Sequence, residues 1–281
     1  MRNLLSAGFA RLWRSKAFYL SVSTMFLLAV FTMLNYSRQV LADTSGYPHY
    51  IEQQYFDTAV FSGIFIAAFM GLFISVEHSD GTLRNKLMVG HTRAAVYLSN
   101  LIVCAAASVV FTAAWVVGGM VGIPVLGFWS IGADQLLLAA VVSVLSAITI
   151  STVFLLVSML STNKAVTAVV CILLSLGLIV TASYFYNDLC EPEMVSGMTI
   201  TMEGGLQIMD PTPNPYYVTE PLRTVYVSIV NILPTGQQML LANIKSGENF
   251  SVYPLQIGGS VLLTALTTAV GLFLFRRKDL K

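Results

Sequence analysis

Charge is what this sequence has least of. Asp, Glu, Lys and Arg make up 10% of its 281 residues, against about a quarter in ordinary soluble domains. With 56% hydrophobic residues and a mean hydropathy of +0.75, this excludes a typical soluble globule and implies an integral membrane protein. Cysteine is scarce too, at three residues. Cys104 and Cys171 lie in apolar runs and Cys190 stands alone outside them, so no disulfide framework is implied. There is no His-Glu-x-x-His and no cysteine–histidine cluster with metal-ligand spacing. His49, His78 and His91 are scattered through links and read as solvated surface residues. No G-x-x-x-x-G-K-[ST] loop occurs, so no ATP site of that kind and no cofactor is expected on this chain. Serines are frequent in the apolar runs, but no His or Lys lies within them to activate one, which argues against an intramembrane protease. No nucleic-acid partner is expected.

What the sequence does have is six long apolar runs: Ala17–Leu34, Thr58–Val76, Ala95–Val121, Gln135–Leu160, Ala165–Tyr184 and Pro254–Phe275. Each is near the roughly 20 residues a helix needs to cross a hydrocarbon core of about 30 Å. Continuous runs point to helices rather than barrel strands. The expected fold is an all-α polytopic membrane protein with six spans. Lys and Arg fix its expected orientation. Arg2, Arg11, Arg14, Lys16, Arg84, Lys86, Arg93, Lys164, Arg276, Arg277, Lys278 and Lys281 all fall on one side of six spans. Both termini are therefore expected in the cytoplasm. The first run has the length of a full span and lacks an A-x-A-like site, so it is not read as a cleaved signal peptide.

The links carry further structure. Asn3 to Lys16 reads as an amphipathic helix with Leu5, Phe9, Leu12 and Trp13 on one face, lying in the membrane interface with Arg11 and Arg14 near headgroups. Asn35 to Asp57 reads as a short external loop. Residues 186–253 form the one sizeable external domain. Within it "MTITMEGGLQIMD" alternates with period two. A hairpin over 198–210 with a Glu203-Gly204-Gly205 loop would pair Met202 with Leu206 and Ile200 with Ile208, keeping apolar residues on one face. "PTPNPYY" follows as an extended, proline-stiffened link. Short helices are expected over 222–245, broken at Pro234 and Gly236. They either dip into the outer leaflet or cover the external domain. Ser62-Gly63, Ala67-Ala68 and Gly71 place small residues four apart on the second run, which suits close packing within the chain.

Two features bear on mechanism. The interiors of all six runs hold no Asp, Glu, Lys, Arg or His, whereas ion-coupled pumps commonly place a charge there. Work would then have to enter from outside the membrane. The substantial link on the basic side is "VEHSDGTLRNKLMVGHTR". After Ser79 or Asp80 as cap, a helix of about two turns can run to Gly90, which suits a left-handed terminator. Leu83 and Leu87 share a face. So short a helix needs a surface to dock on, either lipid headgroups or a partner protein.

Over nearly the whole chain these features resemble a permease subunit of the bacterial type-2 ABC exporter family. The resemblance rests on the basic N-terminal elbow, on Glu77 with Gly81-Thr82-Leu83-Arg84-Asn85-Lys86-Leu87, on "ILPTGQ" before the last run, and on the "FRRKDLK" tail. It implies that residues 79–92 form a coupling helix docking on a separate cytoplasmic ATPase, which binds ATP and Mg. Thr82, Leu83, Asn85, Lys86 and Leu87 would be contacts, and Arg84 would contact the ATPase or pair with Glu77. Arg93 would help orient the link. Leu233, Pro234, Thr235 and Gly236 would form an outer gate. A second permease copy or a sibling chain would complete the unit in the bacterial plasma membrane, with a pathway lined mainly by the first, second and fifth spans. The domains expected are 1–185, 186–253 and 254–281. The charge-free spans suit an exported drug, lipid or, preferably, amphipathic peptide. A gradient-driven carrier or channel and a non-transporting sensor are the alternatives.

Overall fold

A computed structural model describes residues 1–44, 49–57, 62–127, 129–196, 198–200, 206–208, 210–244 and 250–278. Its helices are α1 (Arg2–Arg14), α2 (Lys16–Ala42), α3 (Ile51–Asp57), α4 (Ser62–Ser79), α5 (Thr82–Met88), α6 (Arg93–Gly119), α7 (Ile123–Leu126), α8 (Ala133–Leu160) and α9 (Lys164–Cys190). Four short strands follow, β1 (Met194–Val195), β2 (Met198–Ile200), β3 (Leu206–Ile208) and β4 (Thr212–Pro213). The chain closes with α10 (Leu222–Ile232), α11 (Pro234–Ala242) and α12 (Tyr253–Arg277). Among the described residues six helices are long and apolar enough to span a membrane: α2, α4, α6 continued through α7, α8, α9 and α12. The all-α polytopic expectation holds.

Local chemistry sets the helix starts. Ser15 accepts from the Phe18 amide at 3.4 Å, Thr92 from Ala95 at 3.2 Å, and Asn163 from Ala165 at 3.0 Å. Each satisfies a donor that the first helical turn leaves unpaired. The helix ends depart from the hydropathy limits. α2 continues past Leu34 to Ala42 and α9 past Tyr184 to Cys190. Nothing in those extensions breaks a helix, so the backbone runs on after the apolar stretch stops. The expected loop Asn35–Asp57 is accordingly helical at both ends, through the end of α2 and through α3.

α4 is the hub of the bundle. It packs on α8 and α9 and also touches α2, α5 and α6. A Cβ on Gly71 would lie 2.7 Å from the Ala168 backbone of α9, so this small-residue face seats a neighbour within the chain. α8 and α12 are joined by hydroxyls: Thr149 with Thr264 at 3.1 Å and Thr152 with Thr267 at 2.8 Å. Such bonds replace the water that a bilayer cannot supply.

The small sheets correct the hairpin register. β2 and β3 pair Ile200 with Leu206 and Met198 with Ile208, not Ile200 with Ile208. The shift is by two residues, and since strand faces alternate with period two, apolar positions still pair with apolar positions. Met202 and the Glu203–Gly205 loop lie outside the described residues. The "PTPNPYY" segment is not a free link, because Thr212 and Pro213 pair with Val195 and Met194.

Candidate functional site: the elbow, the charged link and the re-entrant pair

α1 lies against α6 through Leu4, Gly8 and Leu12, all buried. A Cβ on Gly8 would sit 2.8 Å from Val103, so glycine lets the two helices approach closely. This packed face lies beside the one read from Leu5, Phe9, Leu12 and Trp13. Trp13 is 55% exposed, pointing to the surface where Trp commonly marks the membrane interface. Arg11 does not reach outward either. Its guanidinium lies 3.9 Å from the centre of the Phe73 ring, and Nη1 meets Glu77 Oε1 at 2.6 Å. Burial pulls the Arg11 pKa below its ordinary value, an effect Glu77 opposes.

Glu77 belongs to α4 and is only 2% exposed. Its Oε1 also accepts from Lys86 Nζ of α5, and its Oε2 accepts from Asn100 Nδ2 of α6 at 2.8 Å. One carboxylate thus joins α1, α4, α5 and α6. Its partner is Lys86, not Arg84, which is exposed. A buried carboxylate held by two cations and an amide is a satisfied arrangement. Asn100 went unread in the sequence, although a carboxamide inside an apolar run was its signal.

The link itself folds as expected in outline and differs in detail. Gly81, with φ +66°, is the N-cap of α5, and no side chain caps it. Ser79 instead bonds back to Val76 at 3.1 Å. At the other end Gly90 has φ +96°. Its amide reaches the Leu87 carbonyl at 3.0 Å, and the His91 amide reaches Lys86 at 3.2 Å, the paired bonds of a glycine-terminated helix. Leu83 is 2% exposed and Leu87 packs beside it on the chain's own core. The expectation that this ridge faces a partner is therefore corrected. A two-turn helix can bury its apolar side only once, and here α4 and α6 take it. The outward face is Thr82, Arg84, Asn85, Met88 and Val89, the last two 67% and 79% exposed.

Arg93 is also committed within the chain. Its Nη1 donates to the carbonyls of Phe275 at 3.0 Å, Arg276 at 3.1 Å and Lys278, filling acceptors that the end of α12 leaves free. Lys278 in turn donates to Met159 at 3.0 Å and Ser161 at 3.3 Å at the end of α8. Burial lowers the Lys278 pKa to about 8. Two of the histidines read as solvated are engaged. His49 pairs with Asp43 at 2.6 Å, and His78 is only partly exposed on α4.

At the opposite end of the bundle, α10 and α11 form a broken pair that enters the helices. Pro234, Thr235 and Gly236 are buried, and Leu233 is partly so at the bend. Thr235 donates to the Leu178 carbonyl at 3.0 Å, which lies about 18 Å from the Cys190 end of α9 at 1.5 Å per residue. The α11 half of this segment packs among the helices α3, α8 and α9. Gln237 ties the bend together, donating to Asn231 at 2.9 Å and Gln256 at 3.0 Å while Ser260 donates to it at 3.0 Å. Gln238 donates to Ser62 of α4 at 3.1 Å. The Gln237 amide satisfies backbone carbonyls that a re-entrant turn exposes, and Gln238 ties α11 to the Ser62 hydroxyl. The sequence reading included Gln237 in "ILPTGQ" but gave it no role, and it left Gln238 unread.

The matched family agrees with this anatomy. A family model described as ABC-2 family transporter protein matches residues 4–182, which takes in α1, the hub, α5 and most of α9. No curated protein matches the chain. With six membrane-length helices and this match over well over half of its length, the chain belongs to the ABC-2 transporter family and is a multi-pass membrane subunit of an ABC transporter.

Proposed function

We propose that this chain is the permease of an ATP-driven exporter whose motor is a separate ATPase seated on the outward face of α5. One observation carries the reading. α5 is fastened on its inner side by Leu83 and Lys86 while Thr82, Arg84, Asn85, Met88 and Val89 stand free of the core. A helix held in this way passes a push on its outer face to α4, α1 and α6 through Glu77. The side bearing α1 and α5 faces the cytoplasm, in keeping with its Lys and Arg. The motor binds ATP and Mg, and this chain supplies the spans.

The pathway forms between two copies, along the exposed faces of α2 and α9. α4 is largely enclosed by its own chain, so the second span contributes less than the family resemblance implies. The inserted α10–α11 pair closes the exit. The cargo is an amphipathic peptide, with a drug or lipid as the nearest alternatives. Gradient coupling through Glu77 is disfavoured, because that carboxylate is already held by two cations and an amide of its own chain.

Co-purification with a candidate cytoplasmic ABC ATPase, sought in the reading frames next to this one, tests the reading. Arg84→Glu with Met88→Asp should abolish the complex while the permease remains folded and in the membrane. Full retention of the complex by that variant would refute docking on this face. Stimulation of the complex's ATPase by peptides, drugs and lipids then ranks the cargo classes.

A further inference from the structure

Beside the hub, and distinct from the face of α5, lies a cleft of about 300 Å³ between α1, the start of α2, α4 and the start of α9. Arg11, Arg14 and Lys164 line it together with Leu72, Phe73 and Val76. Its lining is mixed: the three cations come from α1 and α9 and the apolar side chains from α4, with the Arg11 guanidinium over Phe73. Arg14 is exposed at the end of α1, and Lys164 is exposed at the first turn of α9. Neither forms an ion pair among the described residues, where the ion pairs are Arg11–Glu77, Lys86–Glu77 and His49–Asp43. Among the described residues the carboxylate paired with this group is Glu77, and Arg11 and Lys86 share its charge, so the described side chains here carry a net positive charge. Apart from the Nη1 that meets Glu77, the Nε and Nη2 donors of Arg11 are buried and without a hydrogen-bond partner. Unpaired buried donors of this kind call for an acceptor.

The apolar strip runs along α4 into the bundle's membrane-spanning part, while the cations sit at its end. Trp13, exposed on the same helix as Arg11 and Arg14, sits where aromatic residues mark the headgroup level. We propose that this cleft is a binding site for an anionic phospholipid, with the headgroup phosphate between Arg11, Arg14 and Lys164 and the first part of an acyl chain along Leu72, Phe73 and Val76. Guanidinium groups suit phosphate oxygens through paired N–H donors, and Lys adds a point charge. An anionic headgroup rather than a zwitterionic one follows from the unbalanced cations. Because Arg11 also holds Glu77, lipid in the cleft bears directly on the joint that fixes α5. Lipid composition would therefore set how firmly that joint is held. This inference concerns a lipid site and stands apart from the docking of the ATPase.

The test uses the full chain in detergent and leaves Arg11 intact, since the hub needs it. Thermal melting is followed while phosphatidylglycerol, phosphatidylcholine or inorganic phosphate is added. Phosphatidylglycerol should raise the melting temperature, and the other two should not. Each cation near an anionic lipid is worth about fivefold in affinity, so Arg14→Gln with Lys164→Gln should raise the phosphatidylglycerol concentration needed for a given shift roughly 25-fold. Arg276→Gln with Arg277→Gln, at the end of α12 and outside the cleft lining, should leave it unchanged. Native mass spectrometry should find phosphatidylglycerol retained by the parent and lost from the first double variant. Equal response to phosphatidylcholine, equal response to free phosphate, or equal loss in the Arg276/Arg277 control would each overturn the proposal.

Discussion

Replacing Glu77 by Gln should loosen the whole basic end of the bundle. The substitution is nearly isosteric, so it leaves no cavity and isolates the charge. Arg11, at 2.6 Å, and Lys86 would then face each other without an anion, and the amide cannot satisfy both them and Asn100. Removing one partner of a buried ion pair costs about 3–5 kcal/mol. Lys86 can swing its ammonium toward water on its long stem, which favours the lower end. Arg11 is pinned over Phe73 and cannot. At about 2–4 °C per kcal/mol, the melting temperature should fall by roughly 6–20 °C. Arg11→Gln combined with Glu77→Gln removes the stranded cation, and the double variant should be more stable than the sum of single losses by at least about 1 kcal/mol. Arg84→Gln, on the exposed face, should stay within about 0.5 kcal/mol of the parent. Tryptic cleavage in the α4–α6 link gives a second readout, rising in Glu77→Gln as α5 loses its Lys86 anchor. A Glu77→Gln protein that melts within about 1 °C of the parent, or singles that merely add, would refute the carboxylate as the joint of four helices.

Other sites give sharp expectations. Glu52 of α3 accepts from the Ser130 hydroxyl at 2.9 Å and from the amides of Ile131 at 2.8 Å and Ser130. Burial pushes its pKa up, but hydrogen bonds from its own amide, Ile131 and Ser130 outweigh this and hold it below the ordinary value. Its stabilisation is thus complete above the unfolded pKa and lost as pH falls through the lower folded one. Glu52→Gln should cost about 1–3 kcal/mol at neutral pH and flatten the acid limb of a melting-versus-pH curve. Arg93→Gln should release the tail after α12, seen as faster proteolysis at Arg276 to Lys278, with the spans intact. Gly71→Ala should force α4 and α9 apart at a cost of about 1–3 kcal/mol, whereas Gly177→Ala, with open space around it, should be silent in the same melting assay.

The sequence made the number of spans legible because apolar length is a direct demand of the bilayer, and six runs met it. It also marked the far end of α5, since Gly90 takes the left-handed conformation that glycine tolerates best, but it put the N-cap at Ser79 or Asp80 where Gly81 stands. It could not show which way the short helix turns. Leu83 and Leu87 make the same four-residue ridge whether they press on a motor or on α4 and α6, because periodicity records that a face is buried and not what buries it. Charge misled in a similar way. Arg11, Lys86 and Arg93 fit the positive side of the membrane, yet each is spent inside the chain on Glu77 or on the carbonyls ending α12. Such pairs join residues far apart in sequence and leave no local pattern. The distinction has a mechanical consequence. Because Glu77 links α5 to α1, α4 and α6, force on Met88 or Arg84 cannot move α5 alone. Outer-face variants should therefore lose the ATPase without losing stability, while hub variants should lose stability first. If Arg84→Glu with Met88→Asp lowered the melting temperature of the isolated permease as far as Glu77→Gln does, the two faces of α5 would not be separate and the assignment of the outer one to docking would fail.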